Sequence, residues 1–322
     1  MLRAAGLPFG DALQPASSTN NEIHLSERCV VRVSDQSKNR LAREGALYRH
    51  LPTAPWRPAL IAAGQQAGAD YVIVERKPGR PLAHAWPSLS VMERRRAVGQ
   101  LARCLRELHA VTTPDLPPIA GKPLHVLGSG RGPEHVTDPL LRALDHVSHH
   151  PAVDTGIVEL ARHYVLANRD HLDDHRNDHL IHGDVTFENV LADEGQITAL
   201  IDFEWCRGAP ADLELDVLLR CCALPQVHVA AEYAARSRPQ DYAAVPVWLA
   251  EDYPELFAHP HLVERLTIYA LAFDVRDLIE TGTVPAQRSD VDDLHPYNRL
   301  INLVSTGGHV AELLDRAGVR LP

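Results

Sequence analysis

Two β-branched runs stand out in the first quarter of the chain. Cys29-Val-Val-Arg-Val33 and Tyr71-Val-Ile-Val74 set branched side chains almost side by side, which suits the pleated surface of a sheet and predicts strands. Between them Leu41, Ala42, Leu47 and Leu51 recur among charged residues with helical spacing, and Pro52, Pro55 and Pro58 end that pattern. The order strand, strand, helix, strand describes a small α+β unit, and Lys77-Pro-Gly-Arg-Pro81 reads as the turn that leaves it. Beyond it the period changes. Val98, Leu101, Leu105 and Leu108 follow at steps of three and four, giving one apolar face to a helix over Met92–Ala110. Thr112 to Pro133 is rich in Pro and Gly and reads as a long loop. Val190–Ala192 and Gln196–Ile201 flank Asp193-Glu-Gly195, a hairpin whose glycine can take the positive φ of a tight turn. From Asp212 onward the pattern is helical, including Leu262–Leu278 and Leu300–Leu314. No internal repeat is evident. The expected fold class is α+β, with a β-rich N-terminal unit over residues 1–77 and a larger, mainly helical unit over 78–322.

Charge refines this division. The 322 residues carry 32 Lys and Arg against 42 Asp and Glu, a net −10. Residues 1–80 hold 11 basic and 7 acidic side chains, whereas residues 181–322 hold 10 and 23. A net negative chain argues against general binding to nucleic acid or to an anionic membrane, which need a basic surface. No stretch approaches the ~18 apolar residues of a membrane helix, and Met1–Gly10 has no apolar core of a secretory signal. The five Cys are odd in number, with Cys221 and Cys222 adjacent, which suits reduced thiols and a cytoplasmic setting.

Candidate chemistry is concentrated in Ile181-His-Gly-Asp-Val-Thr-Phe-Glu-Asn-Val190 and in Ala199-Leu-Ile-Asp-Phe-Glu204. His182-x-Asp184, with Asn189 five residues after the Asp, reproduces the catalytic-loop spacing H-x-D-x-x-x-x-N of kinases, and Asp202 ends the second strand of the hairpin. Phosphoryl transfer needs such a set. An Asp orients the incoming hydroxyl and takes its proton (Asp184), while hard oxygen ligands hold Mg²⁺ against the phosphates (Asn189 and Asp202). The apolar strand before the loop and the hairpin after it make the combination specific. No G-x-x-x-x-G-K-[ST], G-x-S-x-G or H-E-x-x-H pattern competes with it.

On these motifs the chain resembles the aminoglycoside phosphotransferase and choline kinase family, small-molecule kinases of the protein-kinase-like fold. The likeness runs from about Leu13 to Leu219. It implies a two-lobed fold, ATP or GTP with Mg²⁺, and a small-molecule hydroxyl as acceptor. Carried over, Asp184 is the catalytic base, Asn189 and Asp202 are metal ligands, and His182 braces the loop. Arg32 stands where protein kinases place a phosphate-gripping Lys, and its permanent charge and forked geometry suit that task. Glu44 would orient it. Ser18 and Thr19, in Ala16-Ser-Ser-Thr-Asn-Asn21, would cover the phosphates without the usual glycines, and Glu75 and Lys77 fall at the interlobe hinge. Gly208 comes only six positions after Asp202, too short a segment to dock a polypeptide substrate, so a small acceptor is expected. Asp212 or Asp216 is expected to be structural, capping the next helix and bonding the catalytic loop.

The carboxylates Glu188, Glu204, Asp216 and Asp274 of the acidic half suggest a cationic acceptor, such as an aminoglycoside or an amino alcohol. A nucleotide-binding pseudokinase is the alternative, and the intact trio Asp184, Asn189 and Asp202 favours an active enzyme. Two smaller features are open. His171, His175, His179 and His182, interleaved with Asp173, Asp174 and Asp178, fit either a transition-metal site or a solvated helix. Trp205 fits either the cleft lining or the core.

Overall fold

The computed structural model describes residues 13–16, 21–35, 40–117, 119, 124–130, 132–175, 179–282 and 294–319. Ser18 and Thr19 therefore lie outside the described residues.

The N-terminal part is a five-stranded antiparallel sheet of β1 (Gln14–Ala16), β2 (Glu22–Leu25), β3 (Cys29–Asp35), β4 (Leu60–Gln66) and β5 (Ala69–Glu75), in the order β1-β2-β3-β5-β4. The two β-branched runs are the adjacent strands β3 and β5, paired with Arg32 opposite Val72. One face of the pair buries Cys29, Val31 and Ile73. The other packs Val72 and Val74 against Leu41, Leu47 and Tyr48 of α1 (Arg40–His50). Helix and sheet meet closely, because a Cβ on Gly45 would lie 2.6 Å from the Ala63 Cβ. Strand β4 was not expected. Its Ala, Gly and Gln residues carry little β preference, and it forms the edge of the sheet, where pairing on one side suffices.

The chain leaves the sheet through Glu75-Arg-Lys77 and enters β6 (Arg80–Pro81), α2 (Leu82–Ala85) and α3 (Val91–His109). Val98, Leu101, Leu105 and Leu108 are all fully buried, as the periodicity predicts. A capping box starts α3: the Ser90 hydroxyl accepts from the Glu93 N–H and the Glu93 carboxylate accepts from the Ser90 N–H. No helix or strand is present in the described residues of 112–133. The body continues with α4 (Asp138–Ser148), α5 (Thr155–Asn168), β7 (His179–Ile181), the hairpin β8 (Val190–Asp193) and β9 (Gln196–Leu200), β10 (Arg207–Ala209), α6 (Asp212–Ala223), α7 (Ala231–Ala234), α8 (Pro239–Tyr242), α9 (Val245–Asp252), α10 (Leu262–Thr281), α11 (Pro296–Thr306) and α12 (Gly308–Arg316). Glu194 and Gly195 turn the hairpin with φ of 46° and 74°. The three-residue strands β7 and β10 pair with each other and are too short to leave a period-2 signature. The single helix expected over Leu300–Leu314 is two, broken where Gly307 and Gly308 both take positive φ.

Helix α10 forms the centre of the body and is buried on nearly every side. Its polar residues are paired there. Arg265 donates to Asp212 at 2.5 and 3.1 Å, and Asp274 accepts from Arg220 at 2.7 Å and from Arg299 at 2.8 Å. All five Cys are buried and free, and Cys221 and Cys222 pack in α6. No helix among the described residues is long and apolar enough to cross a membrane.

Candidate active site

The site is assembled where the sheet, α1 and the β8–β9 hairpin converge. Strand β7 runs into the loop His182-Gly-Asp184, and β8 leaves it at Val190. Loop shape is fixed by Glu214 on α6. Its carboxylate accepts from the His182 N–H at 2.5 Å and from the Gly183 N–H at 3.0 Å. Gly183 has φ +80°, and a Cβ there would lie 2.5 Å from the Trp205 carbonyl oxygen, so both its conformation and its space require glycine. His182 is fully buried, and burial lowers its pKa, so the neutral ring donates Nε2–H to the Ile201 carbonyl at 2.9 Å. That bond ties the loop to the end of the hairpin.

Asn189 links to Asp184 directly. Its Nδ2 donates to the Asp184 carbonyl at 2.8 Å and to Asp184 Oδ2 at 3.3 Å. The amide is thereby oriented, and Oδ1 remains as its acceptor. Burial pushes the Asp184 carboxyl well above the usual carboxylate range, and Asp202, Glu204 and Glu214 add to the rise. Asp202 sits just past β9 in the left-handed region, with φ +66°.

Arg32 joins these elements. One of its nitrogens donates to both oxygens of Glu44 at 2.7 Å, and the other donates to Asp202 Oδ1 at 2.6 Å. Burial disfavours its charge, but Glu44, Asp202 and Glu204 together outweigh that and hold the guanidinium protonated. Glu44 in turn accepts from the Phe203 N–H at 3.1 Å. Burial raises the Glu44 carboxyl and Arg32 draws it back. Glu204, also buried, meets Arg40 at 3.3 Å and the Asn21 amide at 3.2 Å. Phe203 packs edge-on against Tyr48, and Trp205 is buried beneath the Arg40 guanidinium, 4.1 Å from its ring centre, so Trp205 belongs to the packing. Between β5 and β6, Lys77 pairs with Glu75 at 3.0 Å, and both line a cavity of about 710 Å³ shared with Tyr48 and Arg49.

Two expectations are corrected. Asp212 neither caps α6 nor touches the catalytic loop, because its carboxylate is taken by Arg265. Glu214, two residues further, bonds the loop instead; the sequence signal was an acidic residue at either position of a first helical turn, with nothing to say which faces inward. The four carboxylates expected to receive a cationic acceptor are already answered from within the chain. Glu188 meets His84 at 3.0 Å and the Ala230 N–H at 2.9 Å, and Glu204 meets Arg40. Asp216 and Asp274 are wholly buried, against His125 and against Arg220 with Arg299. Among the described residues the His171, His175, His179, His182 series does not gather either, and Asp178 lies outside them. Among the described residues, His171 instead has ligand atoms within 4.8 Å of His261 and Glu264.

A β-sheet capped by one helix, set on a helical body with an Asp-bearing loop and a hairpin at the junction, defines the kinase-like phosphotransferases. The profile described as the phosphotransferase enzyme family matches residues 13–248, and the chain belongs to this family of small-molecule kinases. Among solved structures, it is similar to a thermostable mutant of aminoglycoside phosphotransferase APH(4)-Ia, at 20% identity and a TM-score of 0.58, over 92% of this chain and 94% of that one. It is also similar to the same enzyme in ternary complex with AMP-PNP and hygromycin B, at 19% identity and a TM-score of 0.58, over 94% and 95%. Choline kinase LicA from Streptococcus pneumoniae matches at 12% identity with a TM-score of 0.53, over 92% and 93%. A comparison with curated protein sequences finds no match.

Proposed function

We propose that the protein transfers the γ-phosphate of ATP to a hydroxyl of a small molecule, with residues 1–77 and 78–322 as its two lobes. The observation that carries this reading is the connected set Glu44–Arg32–Asp202, which brings a cation from the sheet to the end of the hairpin beside Asp184 and Asn189. Arg32 would grip the nucleotide phosphates, with Glu44 holding its fork in place. Asp184 would accept the acceptor's proton, and its raised basicity suits that task.

The donor set fits Mg²⁺. Asp202, Glu204 and Glu214 each disfavour the ionised form of Asp184, a cluster of charge that a cation would relieve, and Asn189, bonded to Asp184, and Asp202 each carry a hard oxygen suited to that cation. Asn189 and Asp202 would hold the ion, which neutralises charge developing on the transferred phosphoryl group. Glu75 and Lys77 mark the segment that would meet the nucleotide base, and Ser18 and Thr19 the segment over its phosphates. His182 and Glu214 keep the loop in shape.

One neighbour is solved with hygromycin B, and another is a choline kinase. They support a small polar acceptor here, but the internal pairing of Glu188, Glu204, Asp216 and Asp274 takes away the carboxylates that would have selected a cationic one. ATP consumption across a panel of hydroxylated compounds, cationic, neutral and anionic, tests the reading. Turnover that Asp184→Ala abolishes supports it. Nucleotide binding without turnover of any member would favour a pseudokinase.

A further inference from the structure

We propose that a second site, a cavity of about 400 Å³ between α1, β10 and the described residues 113–117, 119 and 125–129, binds a small phosphate or carboxylate anion, either free or carried by the acceptor. Among the described residues its wall has no Asp or Glu. It presents Arg43, Arg207, His125 and His175, with Leu116 and Leu127 among the apolar lining. The cations are unanswered. Arg43 is buried, and its Nη1 has no hydrogen-bond partner among the described residues; its Nε donates to the Pro117 carbonyl at 2.9 Å. The hydrogen bond found for Arg207 there runs from Nη1 to the Trp205 carbonyl at 3.2 Å. Neither guanidinium has a carboxylate partner among the described residues. His175 and His125 each bury an Nδ1 without a partner, and His125 already uses Nε2 on Asp216.

A buried cation is tolerated when paired, and removing its partner is costly. Elsewhere Arg32, Arg220 and Arg265 each face carboxylates, and the buried Arg57, which faces none among the described residues, spends its nitrogens on the Pro52, Pro58 and Leu51 carbonyls. Arg43 and Arg207 each have one carbonyl acceptor instead, and both face one cavity. Burial lowers the pKa of both, and Arg43 lowers that of Arg207 further, as two like charges across a shared space must. Glu214 is the carboxylate that most favours the charged form of Arg207, but both its oxygens are occupied by the His182 and Gly183 N–H groups. An anion in the cavity would supply what the chain omits, and guanidinium forks match phosphate and carboxylate oxygens. The place adjoins the chemistry. Arg43 precedes Glu44 on α1, and a Cβ on Gly183 would lie 2.8 Å from Arg207 Nη1. A bound anion would therefore clamp α1 against the catalytic loop.

The decisive arms measure binding without turnover, so the site stands or falls apart from the phosphotransfer reading; only the choice between a free and an acceptor-borne anion uses turnover. The full chain is melted at saturating AMP-PNP and Mg²⁺, so that phosphate does not report on Arg32, in phosphate or in chloride of equal ionic strength. Wild type should melt higher in phosphate, with a saturable dose response. Arg207→Met should weaken that response at least ten-fold, and in chloride should melt at or above wild type, because an unpaired cation has gone. No phosphate response, or one that Arg207→Met keeps, overturns the proposal. Should that variant not fold, Arg43→Gln and the imidazole NMR signals of His125 and His175 decide: signals unmoved by phosphate overturn it. Glycerate separates the two sources. Glycerate binding that phosphate displaces, with turnover by ATP, supports an acceptor-borne anion. Phosphate binding with glycerate inert supports a free ion.

Discussion

Arg32 and Asp202 are 170 positions apart in sequence and 2.6 Å apart in space, joined by one charge-assisted hydrogen bond from β3 to the end of β9. The same guanidinium is held by Glu44, so three elements depend on it. Arg32→Met should raise the KM for ATP more than ten-fold. It should also cost about 3–5 kcal/mol of stability, because Glu44 is left buried and uncompensated. The double variant Arg32→Met with Glu44→Gln should recover much of that stability and none of the nucleotide affinity. Melting curves beside ATP kinetics check both parts; recovery of affinity in the double variant would refute the assignment of Arg32.

Asp184 is kept at a cost to the fold. Its carboxylate sits among three others, and its ionised form is disfavoured. Asp184→Asn should lower turnover by about 10²–10⁴, the usual worth of a positioned general base. The metal-free protein should melt at or above wild type. A variant that is both inactive and markedly less stable would point to a structural role instead.

The pH dependence follows from the same shift. A base works when deprotonated, so kcat/KM should fall as pH drops through the Asp184 pKa, which lies above the usual carboxylate range in the metal-free protein. A divalent cation favours the ionised form, so saturating Mg²⁺ should move the acid limb to lower pH. Rate profiles at limiting and saturating Mg²⁺ measure this; a limb that ignores Mg²⁺ counts against Asp184 as its origin.

Glu214 makes the opposite contribution. Burial pushes its carboxyl up, but His109 and the N–H groups of the loop outweigh that and hold it below the usual range. A depressed pKa stabilises the fold above the unfolded-state value and loses that stabilisation as pH falls through the folded one. Glu214→Ala strands two buried N–H donors, at about 1–3 kcal/mol each. Glu214→Gln keeps one acceptor and should lose roughly half as much. Acid titration of the melting temperature should flatten in both variants.

Gly183 sets a steric limit on the loop. Gly183→Ala meets a positive φ and a carbonyl oxygen at 2.5 Å at once, so the loop must move. Activity should fall further than stability, because Asp184 is the next residue. A fully active Gly183→Ala enzyme would show that the loop geometry is not limiting.

Much of this was legible in the chain. The β-branched runs became β3 and β5, the period of α3 held at all four positions, and the spacing His182, Asp184, Asn189, Asp202 was enough to bring four side chains to one junction. What was not legible shares a cause. Strand β4 is an edge, β7 and β10 are three residues long, and each takes its structure from a neighbour rather than from its own pattern. The acidic residues of the second half could be counted but not aimed. Whether Asp216 or Asp274 faces a ligand or an arginine depends on the packing of α6 against α10, and both turned inward. The cations of the α1–β10 cavity were invisible for the same reason: Arg43 and Arg207 are far apart in sequence, and no motif joins them.

Asp202 holds a backbone shape that glycine would adopt at no steric penalty, while an L-residue there costs on the order of 1 kcal/mol. Asp and Asn tolerate that shape better than other side chains. This allows backbone comfort and charge to be separated at one atom position. Asp202→Gly would relax the turn and remove the carboxylate; Asp202→Asn would keep the turn and remove only the charge. The hairpin's end thus holds a strained backbone at Asp202 so that a carboxylate oxygen can stand opposite Arg32.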